Sequence, residues 1–320
     1  NQGEIDAKAF HEKIRSVILE GTKSLVDSAQ SLGYLSGEAE TSQDPLPSQD
    51  CRLAALCDIA KELPLLADEE QEWTQSLLTE EGGASHVDLF SKVTENIQAW
   101  AAVVPLMGEE YIIPPNTAFL LSDFTRIQPL VQCGRRFDVI VIDPPWENKS
   151  VKRSRRYSSL PSSQMKRLPV PLLGSPGCLV ATWVTNRPSH LRFVRDELYP
   201  HWGVEVVAEW FWVKVTTSGE FVFPLDSPHK KPYEVLVLGR PLQTANVPVE
   251  DKRLIVSVPS ALHSQKPSLS EVLKLYVGAE AKCLELFARS LQPRWTSWGN
   301  EVLKFHSPLL SLCSGCPSAS

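Results

Sequence analysis

Near the start of the chain, apolar residues recur at helical spacing. Ile14, Val17, Ile18 and Leu25 are separated by charged positions, which predicts an amphipathic helix over residues 4–31 that ends near Gly33. Residues 36–50 are rich in Ser, Pro, Glu and Gln and almost without apolar side chains, so they cannot offset their own ordering entropy and read as a mobile linker. Helical pattern resumes over residues 53–66, 69–78 and 87–104, each with an apolar face. After Pro105 the texture changes. Short β-branched runs bounded by Gly and Pro predict strands over residues 137–142, 178–184, 204–215, 233–238, 254–258 and 283–287, with helices over 189–198 and 268–277. Strands alternating with helices are the mark of an α/β sheet. The expected organisation is a helical N-terminal module over residues 1–110, an α/β domain over 111–306 and a tail over 307–320.

Composition narrows this without changing it. The 320 residues exceed what a single core usually holds, roughly 250–300 residues, so two domains are expected. The longest apolar runs, such as Val139 to Ile142 and Val235 to Leu238, are far too short to span a bilayer, which predicts a soluble protein without membrane contact. The first residues have neither the basic start nor the apolar stretch of a secretory leader. Seven cysteines, an odd number scattered through core-like segments, fit reduced thiols better than disulfides. Cys313 and Cys316 have zinc-ligand spacing, but no second Cys/His pair stands nearby, so no metal site is expected. A net charge of −6 excludes a broadly cationic protein, so a nucleic-acid contact would have to come from a local basic patch.

Such a patch lies close to the segment with the clearest chemistry. Asp143-Pro144-Pro145-Trp146 follows directly on Phe137 to Ile142, at the carboxyl end of an expected buried strand, where ligands of open α/β sheets bind. An adenine amine is a poor nucleophile because its lone pair is delocalised into the ring. Asp143 offers one acceptor for its hydrogens, the Pro144 carbonyl a second with no neighbouring N–H from Pro145, and Trp146 a stacking face for an extruded base. Downstream, Lys149, Lys152, Arg153, Arg155 and Arg156 crowd one loop before Tyr157, the pattern of a phosphate-contacting footprint. The plainer reading of the same residues is a strand ending in a Pro-rich turn, followed by a solvated charge run or a localisation signal. Trp210 and Trp212 alternate along an expected strand and read as core. Asn186 follows a buried strand at the same sheet edge as Asp143, and His263, Ser264 and Lys266 sit in a polar loop that suits substrate contact.

Several blocks recur in order: Asp123-Phe124, Asp143 to Trp146, Leu168-Pro169-Val170, Trp183-Val184-Thr185-Asn186, Lys231, His263-Ser264-Gln265-Lys266-Pro267, Leu286-Phe287-Ala288-Arg289 and Trp298-Gly299-Asn300. Across residues 112–303 the chain thereby resembles the DPPW-type adenine-N6 methyltransferases of eukaryotes. That resemblance implies a permuted Rossmann-like S-adenosylmethionine-dependent domain in which the catalytic strand precedes the segments that complete the cofactor site. It implies that Asp123 and Phe124 hold the cofactor's adenine, that Asp143 also meets its amino-acid end, that Lys231 pairs with its carboxylate, and that Arg289 and Asn300 reach the ribose. Two positions depart from the family pattern. Ser290-Leu291-Gln292-Pro293 lacks the His-Asn pair of some relatives, and Glu301 stands where a Gln can occur, although an acid can still accept from a ribose hydroxyl.

The resemblance further implies RNA as substrate, an internal adenosine of a small nuclear RNA, with a 2′-O-methylated one as a variant of the same expectation. DNA adenine is the rival, a catalytically inactive RNA-binding platform an alternative of another class, and amine methylation on a small molecule or protein a third. A nuclear, or nuclear and cytoplasmic, location and a protein partner docking on the N-terminal module belong to the same set of expectations.

Overall fold

The structure, a computed structural model, describes residues 2–35, 52–65, 72–79, 87–147, 160–242, 246–260 and 265–308. The linker at 36–50, the basic loop with Lys149, Lys152, Arg153, Arg155, Arg156 and Tyr157, the residues His263 and Ser264, and the cysteines Cys313 and Cys316 lie outside them. Two helices open the chain, α1 (Gln2–Ser31) and α2 (Arg52–Ala60). Twelve strands follow: β1 (Thr74–Ser76), β2 (Val93–Asn96), β3 (Ala102–Leu106), β4 (Glu109–Ile113), β5 (Thr117–Leu121), β6 (Phe137–Ile142), β7 (Gly174–Trp183), β8 (Val204–Lys214), β9 (Tyr233–Pro241), β10 (Leu254–Ser257), β11 (Cys283–Leu286) and β12 (Trp295–Gly299). Among the described residues no helix is long and apolar enough to cross a membrane. The chain divides into two compact units, Asn1–Gln49 with Leu179–Ala279, and Asp50–Cys178 with Glu280–Ser320.

In the second unit the strands run side by side in the order β1, β2, β5, β12, β11, β6. The neighbours from β5 to β6 are all parallel, with Leu120 opposite Trp298, Trp298 opposite Leu286, and Leu286 opposite Ile142. β5 is buried at all five positions and β6 at five of its six, the near-continuous apolar pattern of strands covered on both faces. Because β11 and β12 come from the end of the chain yet lie between β5 and β6, the permuted order implied by the resemblance is present. β3 and β4 form a separate hairpin, with Met107 (φ 52°) and Gly108 (φ 86°) both left-handed, as a two-residue hairpin turn of the primed type requires. Its inward residues Ala102, Val104, Leu106, Tyr111 and Ile113 pack with Leu53 and Cys57 of α2, Phe119 and Leu121 of β5, and Leu291, Val302 and Leu303.

Two expectations are overturned here. Residues 69–78 and 87–104 were read as helices, and the structure places β1, β2 and β3 in them. The apolar side chains that suggested a helical face do not share one: Ile97 and Trp100 are exposed, whereas Leu89 and Val93 are buried. Asn96 ends β2 instead. Its buried amide donates to the carbonyls of Trp100, Ile113 and Pro114, and its Oδ1 accepts from the Gln98 N–H at 3.1 Å, a local capture of backbone groups that competes with helix. The residues read as an all-helical module therefore carry strands as well as helices.

In the first unit, β7 pairs antiparallel with β9, β9 antiparallel with β8, and β8 parallel with β10. α1 packs His11, Ile14, Ile18, Thr22 and Val26 inward; of the residues that suggested its apolar face, Ile14 and Ile18 are buried, whereas Leu25 is exposed. Gly21 allows a close approach to β10, since a Cβ there would stand 2.3 Å from the Leu254 Cδ1. α1 is also tied down chemically. His11 bridges the Tyr233 hydroxyl (3.0 Å) and Asp226 (2.9 Å), and Arg15 donates twice to the Asp226 carboxylate at 2.8 Å. Trp210 and Trp212 are buried, as expected.

Candidate active site

Four parallel strands of the second unit end at one edge, and the residues that follow them are the ones with chemistry. Asp123 and Phe124 follow β5, Asn300 and Glu301 follow β12, Phe287 to Arg289 follow β11, and Asp143 to Trp146 follow β6. Since β5, β12, β11 and β6 are in that spatial order and in matched register, the sheet brings together blocks separated by up to about half the chain. This is the carboxyl edge at which α/β sheets place ligands.

Each block is held by its neighbours. The Asp143 N–H donates to the Leu286 carbonyl at 3.2 Å, which fixes the start of the DPPW segment beside the end of β11. The Pro144 carbonyl accepts the Trp146 N–H at 2.9 Å, and the Pro145 carbonyl accepts from Leu160 N at 3.0 Å. Pro144 thus faces a donor inside the segment, which the sequence reading did not foresee; the bond aims the carbonyl and leaves its second lone pair available. Asp143 and Trp146 are half-buried.

The loop after β5 closes on itself. Asp123 Oδ1 accepts from the Thr125 N–H (2.9 Å) and hydroxyl (2.6 Å), and the Ser122 N–H donates to the Gly299 carbonyl at 3.1 Å. Phe124 meets Phe287 edge-on at 4.9 Å between centroids, and Phe287 meets Trp298 at 5.2 Å, giving a three-ring cluster. Phe287 occupies the left-handed region at φ 60°, a conformation a bulky residue holds only where its surroundings over-determine it. Gly299 permits the crossing of strand ends, since a Cβ there would lie 3.1 Å from the Ala288 carbonyl oxygen. Glu301 is gripped by two cations, Arg289 at 3.6 Å and Lys304 at 3.3 Å. The acid in the place of a family Gln is therefore neutralised locally, and it orients Arg289.

The first unit holds the other predicted positions. The Asn186 amide donates to the Tyr233 carbonyl at 3.4 Å. Just before it, Thr185 is left-handed at φ 61°; its hydroxyl lies 3.2 Å from His190 Nδ1 and accepts from the Arg187 N–H at 3.3 Å. His190 was not singled out from the sequence. Burial pulls its imidazole down to about 4, with Arg187 adding to the shift, so it stays neutral in this turn near neutral pH. Lys266 is held against Glu234 at 3.7 Å, over the Trp183 ring at 5.9 Å, and Glu234 also pairs with Lys214 at 3.2 Å. Lys231 has no carboxylate within ion-pair reach among the described residues; partial burial lowers its ammonium, and the Asp226 charge opposes that shift.

A family model described as MT-A70 matches residues 137–301, from the first residue of β6 to Glu301. The chain belongs to the MT-A70 methyltransferase family. Mouse N(6)-adenine-specific methyltransferase METTL4 is 53% identical over 333 aligned residues, covering 99% of this chain and 70% of that protein. The N6-methyladenosine RNA methyltransferase MTA1 of Pyricularia oryzae is 37% identical over 61% of this chain and 55% of its own length. The DNA N6-methyl methyltransferase of Caenorhabditis elegans is 36% identical over 62% of this chain and 55% of its own. MT-A70 methyltransferases in general depend on S-adenosylmethionine. The donor set after β5, β11 and β12 fits that group: an aromatic cluster and a carboxylate suit an adenine ring, and Asn300 with the Arg289–Glu301 pair suits a ribose diol.

Proposed function

We propose that this MT-A70 methyltransferase transfers a methyl group to the N6 amine of adenosine in RNA, with an internal adenosine of a small nuclear RNA as the substrate class and the nucleus as the place of action. The observation that carries the reading is the position of Asp143-Pro144-Pro145-Trp146 at the end of β6, beside the carboxyl ends of β11, β12 and β5. S-adenosylmethionine, when bound, supplies the methyl group on a positively charged sulfur. Asp123, Phe124, Asn300 and the Arg289–Glu301 pair would hold it.

The chain's own residues then have to deliver an amine in the right geometry. The Asp143 carboxylate and the open lone pair of the Pro144 carbonyl accept the two N6 hydrogens, which draws the nitrogen lone pair out of ring conjugation. Trp146 stacks the extruded base and excludes water from one face. No side chain has to act as general base: the methylated nitrogen is cationic, its proton is far more acidic than before, and water can remove it afterwards. Positioning and desolvation supply the rate enhancement. The basic run from Lys149 to Arg156 supports a nucleic acid of either kind, the resemblance favours RNA over DNA, and the names of the relatives span both substrates.

The test is methylation of matched RNA and DNA oligonucleotides with labelled cofactor, followed by mapping of the modified base. We expect label at adenosine N6 in RNA, and none with Asp143→Ala at unchanged thermal stability. Preferential labelling of DNA would replace the substrate part of the proposal. Near-normal turnover by Asp143→Ala would remove the mechanism.

A further inference from the structure

Arg126 was not among the expected site residues, yet it is a buried cation two positions after Phe124. Its guanidinium donates from NH1 to the carbonyls of Lys61 (3.3 Å) and Leu63, in the turn that ends α2, and from NH2 to the Ser91 hydroxyl at 3.0 Å. Its Nε is buried with no partner among the described residues. Burying a guanidinium against carbonyls, with its Nε left without an acceptor, is costly, and so is a poor way simply to fill space. A planar fork is, however, suited to fixing two chain segments at one angle, and a cation suits the negative end of a helix.

What the fork fixes is the loop with Asp123 and Phe124. The Arg126 N–H donates to the Asp123 carbonyl at 3.0 Å. The Arg126 carbonyl accepts both the Ser122 hydroxyl and the Trp298 indole N–H, the latter at 3.4 Å. The loop is thus fastened through its backbone to β12 and through one side chain to α2. The same helix reaches the neighbouring block, with Cys57 Sγ 4.0 Å from the Asn300 carbonyl and its inward face packed with Ala288 and Val302.

We infer that Arg126 is a positioning residue through which the turn ending α2 sets the cofactor affinity of loop 122–126. The inference rests on the reading of Asp123 and Phe124 as contacts of the cofactor's adenine. It gives the N-terminal part of the chain a definite task, bracing the cofactor site.

The full chain is assayed as wild type, Arg126→Met, Arg126→Lys and Ser91→Ala, with KM for S-adenosylmethionine, KM for RNA and kcat measured separately and cofactor binding followed by calorimetry. Losing a charge-assisted fork should raise the cofactor KM of Arg126→Met by about tenfold, with kcat at saturating cofactor and KM for RNA nearly unchanged. Arg126→Lys should recover part of the loss. Ser91→Ala, which removes one acceptor and leaves the loop sequence intact, should move the cofactor KM in the same direction by a few-fold. A lower kcat with unchanged cofactor KM marks Arg126 as merely structural and overturns the inference. So does an unchanged cofactor KM in Ser91→Ala if Arg126→Met fails to fold. If wild-type protein binds no cofactor, the parent reading falls and takes this one with it; if wild type binds and the variants bind equally well, only this one falls.

Discussion

His306, in the last described segment of the second unit, should make the fold sensitive to mild acid. The carbonyl of Ile112 can only accept, so the contact at 2.9 Å requires a proton on His306 Nδ1. The Leu291 N–H can only donate, so the contact at 2.7 Å requires a bare Nε2. The two bonds together demand the neutral ring, because a second proton would set N–H against N–H. Burial acts in the same direction, and the imidazole is pulled from its ordinary 6.5 to about 4. The unfolded chain therefore binds a proton between pH 6.5 and 4 that the folded chain refuses, and stability falls as pH falls through that window. Between pH 7 and pH 5 the loss amounts to about 2 kcal/mol. His306→Gln offers an acceptor and a donor to the same two partners without titrating. It should be somewhat less stable than wild type at pH 7, and most of that difference should vanish or reverse by pH 5. Denaturant midpoints and slopes at half-unit pH steps measure this directly. Parallel stability curves for the two proteins between pH 7 and pH 5 would show that His306 is not held neutral.

Gly239→Ala should destabilise the first unit by about 1–3 kcal/mol in chemical denaturation, because its Cβ would sit 2.6 Å from Val204 Cγ1, 2.7 Å from Tyr199 Cε2 and 2.8 Å from the Glu205 carbonyl oxygen; a neutral effect would mean that β8 and β9 separate freely at this point. Lys231→Met should weaken cofactor binding by about tenfold or more while leaving RNA affinity unchanged, the effect expected when a carboxylate loses its cation. Calorimetry showing wild-type cofactor affinity in that variant would strip Lys231 of the role the resemblance gives it.

The α/β half was legible because its strands obey a simple rule: after Phe137 and Asp138, Val139 to Ile142 is apolar without interruption, and only a strand covered on both faces needs that. The strands that sequence reasoning missed fail the rule for identifiable reasons. β3 alternates properly, burying Ala102, Val104 and Leu106, but its turn is Met-Gly rather than the Asn-Gly or Asp-Gly pair that signals a hairpin, so the alternation was read as part of a helix. β1 is three residues long and β2 four, too short for any period to declare itself. The site divides along the same line. Asp143 and Trp146 announce themselves because a Pro-Pro pair and a Trp directly after a buried strand have little structural reason to be there. Arg126, His190, Glu234 and His306 carry no such mark: each acts through a backbone carbonyl or a partner elsewhere in the chain, as Arg126 does through Leu63 at 63 residues' separation and His306 through Ile112 at 194. Charge and spacing reveal the groups that touch a substrate. The groups proposed to aim them are found only when the chain is folded, and the bonds of Arg126 to the Lys61 and Leu63 carbonyls put its partners in the part of the chain that seemed least connected to the chemistry.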